Sequence, residues 1–376
     1  SSAASDVYKR QGHGVVKIDR YPVFVPNALI EEEIEYKLIK VKKNFAIGKL
    51  LEVKNKSKDR VEPPCVYYYK CGGCQLQHMT YQAQLNMKKE QVVNLFHRKG
   101  PFEDTPIQPT LGMEQPWRYR NKSQIPVGKD KDNKAIMGFY RQRSHDIIDM
   151  DSCLIQDEQH QNIMNYVKHW FNELNMSIYD EKNKRGLMRH LVIRTGYHTD
   201  EIMVIFVTNG KKFKNANVLV QKLISEFPNI TSIKQNINDT HSNVIMGPQS
   251  VTLYGKDKIV DELSEVTFNI SDQSFYQINS AQTEKLYQKA IDYAQLTGEE
   301  IVLDTYCGIG TIGLYMAPQA KHVYGVEVVP SAIKDAQENA TKNQLNNTTF
   351  ECGKAEDVIL EWKAQGIKPV SYTHLR

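Results

Sequence analysis

The sequence predicts a multidomain α/β protein: a small N-terminal OB-like β-barrel, an α+β central domain and an incomplete Rossmann-like domain at the C-terminal end. Three observations predict this arrangement. An apolar segment enters a glycine-rich turn in residues 301–313, short alternating segments with many lysines fill residues 12–61, and cysteines cluster between them. The 376 residues suffice for two or three domains.

The glycine-rich stretch runs Ile301-Val-Leu-Asp304-Thr-Tyr306-Cys307-Gly308-Ile-Gly310 and predicts a βαβ nucleotide site. Residues 301–303 predict a buried parallel strand, residues 311–316 a helix, and residues 322–326 a second strand. Gly308 and Gly310 lack a Cβ and therefore let the backbone approach a ligand closely. The helix start offers free N–H groups to a carboxylate or phosphate.

Asp304 favours S-adenosylmethionine as the ligand, because an acid at a strand tip can hold the ammonium group of its amino-acid end. Tyr306 can cover the adenosine, and Glu327 can accept hydrogen bonds from the two ribose hydroxyls. The spacing Gly308-x-Gly310-x-x-Gly313 also fits a dinucleotide fingerprint. A structural glycine turn without a ligand is the third interpretation.

The net charge of +4 is unevenly distributed. Residues 37–60 hold nine Lys and Arg against two acids, Glu52 and Asp59, and a second basic patch consists of Arg118, Arg120, Lys122, Arg141 and Arg143. Such patches indicate nucleic-acid binding, with an ordinary solvated surface as the alternative. No apolar run approaches the roughly 18 residues of a membrane span, and no secretory signal is visible. We expect a cytoplasmic protein with no membrane partner.

Residues 12–63 predict the barrel, with strands on either side of an Asp19-Arg20 turn and two longer strands over residues 34–41 and 45–53. Lysines on such a module are typical of nucleic-acid binding. Pro63 and Pro64 end it. Residues 1–11 and 371–376 fit no local pattern, and we expect them to be non-native tails.

Cys65, Cys71 and Cys74 form a Cys-x5-Cys-Gly-Gly-Cys segment, and Cys153 is the available fourth thiolate. Four thiolates suit either a structural zinc or an iron–sulfur cluster, and the spacing does not choose between them. Unliganded buried cysteines are the alternative. Cys307 and Cys352 are expected to be small packed residues.

Residues 64–265 are assigned to the central domain and residues 266–370 to the methyl-donor domain. Helices are predicted over residues 81–99, 159–174, 215–227, 281–296 and 330–343, and strands over 124–127, 135–140, 146–149, 187–194, 201–207 and from 350. Arg and Tyr alternate in residues 117–122, a pattern that suits phosphate contact and base stacking on RNA. The alternative interpretation is a folded edge held by salt bridges. Gln277 and Asn279 suit helix capping or contact with the cofactor.

Together these segments resemble the RumA-like family of RNA uracil-5 methyltransferases. The resemblance rests on the lysine-rich barrel, the four cysteines, Trp117-Arg-Tyr-Arg120-Asn-Lys, Ser274-Phe-Tyr-Gln277-Ile-Asn279, and residues 304–311. It implies that the barrel is a TRAM domain, that Cys65, Cys71, Cys74 and Cys153 hold a [4Fe–4S] cluster, and that 23S rRNA is the partner. It also implies cofactor contacts at Gln277, Tyr306 and Glu327, and packing of helix 81–99 on the methyltransferase domain.

The resemblance implies a reaction in which a thiolate adds to C6 of a flipped uracil, C5 takes the methyl group, and a base removes the C5 proton. In the family the Cys and Glu for these steps follow an Asp-Pro-Pro-Arg segment, which this sequence lacks. No catalytic residue is therefore assigned. We expect a C-terminally truncated chain that does not methylate uridine by itself.

Other functions are also considered. A non-catalytic, cluster-bearing RNA-binding protein would explain the basic patches, although Asp304, Gly308, Gly310 and Glu327 form an intact cofactor motif. A methyltransferase acting on a small molecule or a protein would not need the lysine-rich barrel. Within the family, relatives that modify tRNA lack the barrel and the cluster, so rRNA is the preferred substrate.

Overall fold

The computed structural model describes residues 12–97 and 102–369, together with the backbone of residues 2–4, 7–8 and 371–373. Contacts divide the chain into two compact units. Unit 1 comprises Ser1–Pro116 and Phe139–Met150, and unit 2 comprises Trp117–Gly138 and Asp151–Arg376. This division differs from the three predicted domains, because the barrel and the first three cysteines share a unit and no break occurs near residue 265. The α/β class is as predicted.

Unit 1 begins with a six-stranded sheet in the order β1-β5-β6-β4-β3-β2. Its strands are β1 (Ser2–Ala4), β2 (Val7–Tyr8), β3 (Gly14–Ile18), β4 (Tyr21–Val25), β5 (Glu33–Val41) and β6 (Ala46–Asn55). The predicted hairpin turn is observed, with positive φ angles of 45° at Asp19 and 68° at Arg20. β1 and β2 pair with β5 and β3, so parts of the expected N-terminal tail join the sheet. The rest of that tail lies outside the described residues.

Helix α1 (Tyr81–His97) follows the cysteine segment and begins where the sequence predicts. The last two residues of the predicted helix lie outside the described residues. Ala83 and Met87 pack with Leu29 and Met79 in a small apolar cluster of unit 1. The predicted packing of this helix on the methyltransferase domain remains a prediction.

Unit 2 contains a mixed sheet whose strands lie in the order β13-β12-β11-β10-β7-β8. They are β7 (Lys122–Lys129), β8 (Ala135–Tyr140), β10 (Met188–Thr195), β11 (Ile202–Thr208), β12 (Ile230–Ile237) and β13 (Gln249–Gly255); β9 (Ile147–Asp149) belongs to unit 1. The pair β11–β12 is parallel, and its neighbours in the sheet pair antiparallel. Helices α2 (Glu158–Glu173) and α3 (Ala216–Glu226) lie within a residue of their predicted ends.

A hairpin of β14 (Ile259–Leu263) and β15 (Val266–Ile270) joins this sheet to the nucleotide domain. Phe268 and Ile270 are buried in one apolar cluster with Val192 of β10 and with residues of the nucleotide domain. Because this core is continuous, the predicted boundary between residues 265 and 266 has no counterpart in the contacts. The hairpin was not predicted.

The nucleotide domain is a parallel sheet in the order β18-β17-β16-β19. Its elements are α4 (Ser280–Ala294), β16 (Ile301–Asp304), α5 (Thr311–Met316), a short 3₁₀ turn (Ala317–Gln319), β17 (His322–Glu327), α6 (Pro330–Lys342), β18 (Thr348–Cys352), α7 (Ala355–Ala364) and β19 (Ser371–Thr373). Every element predicted here is observed, and α7 was missed. β19 falls in the expected C-terminal tail, whose remaining residues lie outside the described ones. Within the described part of the chain, no helix is long and apolar enough to cross a membrane.

Candidate functional site

The candidate site lies at the carboxyl end of β16, where the strand order reverses. The chain moves from β16 to β17 and β18 on one side, whereas β19 lies on the other side. In open parallel sheets, ligands bind at the carboxyl ends of the strands beside such a reversal. Five of the six predicted cofactor residues lie here, in the turn after β16 and at the end of β17: Asp304, Tyr306, Gly308, Gly310 and Glu327.

Asp304 is buried at the tip of β16 and accepts hydrogen bonds from the backbone N–H groups of Tyr306 and Gly313. Its Oδ2 atom has no hydrogen-bond partner among the described residues. The pKa of this carboxyl is raised to about 6, because burial and, to a smaller extent, the charge of Glu327 outweigh the lowering effect of the two backbone hydrogen bonds. A buried acceptor without a partner fits a cationic ligand group such as the ammonium of S-adenosylmethionine.

The two glycines of the turn occupy different surroundings. Gly308 has a φ of 54° and a Cβ added there would meet no atom within 4 Å. Gly310 has a φ of 82°, and its added Cβ would lie 3.1 Å from Cζ of Phe350. Gly308 therefore faces open space that suits a bound ligand, whereas Gly310 is required by close packing and by the turn into α5. Sequence reasoning had assigned both to ligand approach.

Glu327 ends β17, and its Oε1 accepts hydrogen bonds from the backbone N–H groups of Val328 at 2.8 Å and Val329 at 3.1 Å. These bonds hold the carboxylate at the strand tip, where its second oxygen suits a ribose hydroxyl. Cys307 N–H donates to the Val326 carbonyl oxygen at 3.1 Å and so ties the glycine turn to the end of β17. Tyr306 is 55% exposed, which leaves a ring face accessible to a ligand.

Gln277 reaches the same turn through Tyr287. The Gln277 side chain forms a hydrogen bond with the Tyr287 phenol, whose oxygen lies 3.1 Å from Oγ1 of Thr311, the first residue of α5. Sequence reasoning found Gln277 but missed Tyr287 and Thr311. Asn279 is the N-cap of α4 and accepts a hydrogen bond from the Gln282 N–H at 3.2 Å, so the capping interpretation holds for this residue.

A buried polar network under the site also escaped sequence reasoning. Asn339 of α6 accepts a hydrogen bond from Asn269 N–H at 2.8 Å and donates one to the Ile309 carbonyl oxygen at 3.4 Å. Asp335, one turn earlier, accepts from Ser274 Oγ at 2.9 Å and pairs with Lys258 at 2.6 Å. The available signal was two polar residues on the buried face of α6.

The basic segment 117–122 serves the fold. Arg118 donates to the carbonyl oxygen of Cys153 at 2.9 Å and to Oε1 of Gln161 at 3.0 Å. Asn121 is buried and donates to the Gln277 carbonyl oxygen at 2.9 Å. Burial, with the nearby charges of Arg194 and Arg120, lowers the pKa of Lys122 to about 8. These contacts match the folded-edge interpretation, with hydrogen bonds in place of the salt bridges.

The cysteines divide into distinct classes. Cys307 is buried as predicted, and burial raises the pKa of its thiol well above the usual range, so it is not a poised nucleophile. Cys352 is exposed, which corrects the expectation that it is a buried residue. It is the last residue of β18 and lies at the carboxyl end of that strand. None of the six cysteines, all of which lie within the described residues, is joined in a disulfide bond.

Cys65, Cys71, Cys74 and Cys153 are partly exposed. Across residues 12–97 and 102–369, no three or more His, Cys, Asp and Glu side chains are grouped so that they could hold a metal ion. Cys65, Cys71 and Cys74 belong to unit 1 and Cys153 to unit 2, and the four-thiolate site remains a prediction from the sequence.

A family model described as a methyltransferase domain matches residues 296–370. A Staphylococcus epidermidis protein named as an uncharacterized RNA methyltransferase is 79% identical over 359 residues, which cover 96% of this chain and 79% of the relative. A Staphylococcus aureus protein that is also named as an uncharacterized RNA methyltransferase is 74% identical over 359 residues, with the same coverage. The chain belongs to the RNA methyltransferases.

The solved structure of the Pyrococcus abyssi tRNA (uracil-54, C5)-methyltransferase in complex with S-adenosyl-L-homocysteine is similar, with a TM-score of 0.75 and 24% identity. The match covers 94% of this chain and 80% of that chain, so the two share a fold. Membership of the methyltransferases supports S-adenosylmethionine, the predicted cofactor, over the dinucleotide for this RNA methyltransferase.

Proposed function

We propose that this RNA methyltransferase acts on C5 of uridine, with 23S rRNA as its substrate, in the cytoplasm. The observation that carries the proposal is the link between Gln277 and the cofactor turn through Tyr287 and Thr311. It brings the Ser274–Asn279 segment, which resembles the uracil-5 family, to the residues that suit S-adenosylmethionine. The other markers are the lysine-rich strands of unit 1 and the glycine turn itself.

In this proposal six residues hold the cofactor. Asp304 accepts the ammonium group, Glu327 accepts ribose hydroxyls, Gly308 leaves room for the ligand, Gly310 shapes the turn, Tyr306 covers the adenosine, and Gln277 contacts the cofactor from the neighbouring segment. The cofactor supplies an electrophilic methyl group. Asp304 is ionised for this role above its pKa of about 6, so the site is charged near neutral pH.

C5 of uracil is a poor nucleophile, so the proposed reaction needs a thiolate that adds to C6 and a base that takes the C5 proton. Cys307 does not suit the thiolate role, because its thiol is buried and its pKa is raised. No catalytic Cys or Glu is assigned to this chain, and we propose that the chain alone binds RNA and cofactor without methylating uridine.

A tRNA uracil-5 methyltransferase is the second candidate. The Pyrococcus abyssi enzyme, whose name gives uracil-54 of tRNA as its target, matches 94% of this chain. That coverage reaches into the lysine-rich strands, so the expectation that tRNA-acting relatives lack this part loses weight. The fold alone does not choose between the two RNAs.

The [4Fe–4S] cluster on Cys65, Cys71, Cys74 and Cys153 is proposed from the spacing and the resemblance, with zinc as the alternative. Partly exposed cysteine thiols suit either metal chemically. Iron, sulfide and zinc are to be measured in protein purified without oxygen. About four irons and four sulfides per chain, lost when Cys71 is replaced by Ser, are expected; protein without iron would contradict the cluster.

The function is tested by deleting the gene in its host and measuring 5-methyluridine separately in 23S rRNA and tRNA by nucleoside mass spectrometry. Loss from 23S rRNA supports the first candidate, and loss from tRNA supports the second. Unchanged 5-methyluridine in both RNAs would contradict uracil-5 methylation. In parallel, calorimetry with S-adenosylhomocysteine tests cofactor binding by the chain itself.

A further inference from the structure

We propose that one end of the central sheet of unit 2 is a second contact surface for the RNA backbone, separate from the cofactor end. The proposal rests on RNA being the substrate of this family. Three loops form this surface, residues 129–134, 182–185 and 211–214, and we call them the basic end. Together with Asp180 and Glu181, which begin the turn of the second loop, they carry nine Lys and Arg side chains against four acids, the other two being Asp130 and Asp132.

The sheet topology brings the three loops together. β7 ends at Lys129, and antiparallel pairing places this end beside the start of β10, which follows the second loop. β11 is antiparallel to β10, and Met188 pairs with Thr208, so the third loop leaves the sheet at the same end. Asn209 fixes the junction, because its Nδ2 donates to the Gly186 carbonyl oxygen at 3.0 Å.

The first loop is a closed turn that presents its lysines outward. Asp130 Oδ1 accepts hydrogen bonds from the backbone N–H groups of Asp132 and Lys134, both at 2.9 Å. The Asp130 carboxylate is therefore engaged in hydrogen bonds within the turn. Lys129, Lys131 and Lys134 are exposed and form no ion pair with any described residue.

The second loop is built in the same way. Asp180 accepts hydrogen bonds from the backbone N–H of Lys182 at 2.8 Å and from Nδ2 of Asn183 at 2.6 Å. Asp180 N–H donates to the Arg185 carbonyl oxygen at 2.7 Å and closes the turn. These hydrogen bonds order the turn in the free protein, so the loop loses less conformational entropy when a ligand binds. Its basic side chains remain exposed.

A polar cavity of about 570 Å³ lies between the first two loops. Lys129 and Arg185 line it together with Ser177, Asp180 and Asn183. The Asp180 carboxylate already accepts hydrogen bonds within its own turn. The remaining polar groups of the lining, two cations with a hydroxyl and an amide, match the phosphate and ribose of an RNA backbone, whose recognition uses these donors. The mixture of Lys, Arg, Ser and Asn favours RNA over an acidic protein segment, since ribose hydroxyls also accept and donate hydrogen bonds.

The basic end lies far from the cofactor turn. Asn121, beside the opposite end of β7, contacts the Gln277 segment, and eight residue steps at roughly 3.3 Å each give about 26 Å to Lys129. A folded RNA with its target base at the cofactor end is large enough to reach the basic end. Loss of this contact should therefore weaken RNA binding and leave cofactor binding unchanged.

The test compares two triple variants of the whole chain, K182A/K184A/R185A and the control K321A/K334A/K363A. Both remove three exposed cations from unit 2, so the change in net charge is matched. Binding to a full-length 23S rRNA transcript is measured by filter retention between 50 and 200 mM salt. We expect the basic-end variant to bind at least about tenfold more weakly at 100 mM salt, with a salt slope smaller by about 2.

The control should bind the transcript like the wild type, and both variants should bind S-adenosylhomocysteine normally. Equal RNA affinity and salt slope for the two triple variants would overturn the proposal and leave the surface to an acidic protein partner. The readout is independent of methylation. The wild-type protein could bind the transcript while deletion of its gene leaves 5-methyluridine unchanged in the RNAs of the host. That pair of results would contradict the proposed function and leave the proposed RNA contact surface standing.

Discussion

The backbone N–H of Gly313 donates a hydrogen bond to the carboxylate of Asp304, joining the first turn of α5 to the tip of β16. One oxygen of this carboxylate, Oδ2, lies 3.3 Å from where a Cβ on Gly313 would stand and has no hydrogen-bond partner in the described chain. A buried carboxylate oxygen without a partner gains a hydrogen bond and an opposite charge when a cationic group binds beside it. Asp304 is therefore the residue on which cofactor affinity should depend most.

Replacing Asp304 by Asn should weaken S-adenosylhomocysteine binding by more than tenfold and stabilise the cofactor-free protein. The carboxyl pKa is raised from 3.8 to about 6, so ionisation in the folded state costs about 3 kcal/mol above pH 6. The neutral amide avoids that cost, and we expect a gain of about 1–2 kcal/mol at pH 7.5, because the amide leaves a donor unpaired. Calorimetry and thermal unfolding at pH 7.5 measure both effects.

The pH dependence of cofactor binding gives a separate prediction. Below pH 6 Asp304 is protonated and cannot attract the ammonium group, so wild-type affinity should fall by up to about tenfold per pH unit below that point. Between pH 6.5 and 7.5 affinity should be constant, because the carboxylate is then ionised and the ammonium is still charged. The Asn variant is the control and should show no such fall; a wild-type affinity independent of pH from 4.5 to 7 would contradict the role.

The two turn glycines should respond differently to alanine. G310A combines a left-handed φ of 82° with a Cβ 3.1 Å from Phe350, so a loss of about 2–3 kcal/mol of unfolding free energy is expected. G308A meets only the conformational cost of about 1–2 kcal/mol, because its Cβ points into open space. If that space holds the cofactor, G308A should lose more than tenfold in S-adenosylhomocysteine affinity. Normal affinity in G308A would place the ligand elsewhere.

Thiol reactivity should separate the two cysteines of the nucleotide domain. Cys352 is exposed and should react with iodoacetamide in the native protein, whereas Cys307 is buried with a raised pKa and should react only after unfolding. Peptide mass spectrometry measures both sites. C307A should keep cofactor affinity and lose about 1 kcal/mol of stability, because the thiol packs in the core. Rapid native alkylation of Cys307 would refute its assignment as a packing residue.

The sequence predicts elements whose side chains follow a simple period. The hairpin at Asp19-Arg20, helix α1 and the β16–α5–β17 unit all appear within a few residues of their expected positions, because apolar spacing and turn residues determine them locally. β12 was missed for a definite reason. It carries Lys234, Gln235 and Asn236, all buried and satisfied by distant partners, so its composition resembles that of a loop.

The residues of the candidate site also divide into those that the sequence reveals and those that only the structure reveals. Asp304, Gly308 and Glu327 belong to contiguous motifs and are recognisable one by one. The contact between Asn339 and Asn269 joins residues 70 positions apart, and the two ends of the Lys258–Asp335 pair are 77 apart. Such tertiary partners leave no periodic signal in one sequence. The basic end is similar, because its loops become neighbours only through the sheet order.

The last prediction tests whether Tyr287 positions the cofactor turn or only packs. Tyr287 and Tyr315 are both buried, their rings meet edge to face at 5.6 Å, and each hydroxyl has a hydroxyl partner, Thr311 at 3.1 Å and Ser264 at 3.0 Å. Phe at either position removes one such bond, so Y287F and Y315F should each lose about 1 kcal/mol of stability. Of these two tyrosines, Tyr287 is the one that forms hydrogen bonds both with Gln277 and with Thr311 at the start of α5.

Y287F should therefore weaken S-adenosylhomocysteine binding by about three- to tenfold, the worth of one hydrogen bond, whereas Y315F should bind normally. Calorimetry at pH 7.5 with matched thermal unfolding separates affinity from stability. Because the two rings touch, a general loosening of the core would affect both variants alike. Equal cofactor affinity in Y287F and Y315F would show that Tyr287 is a core residue and that Gln277 does not act through it.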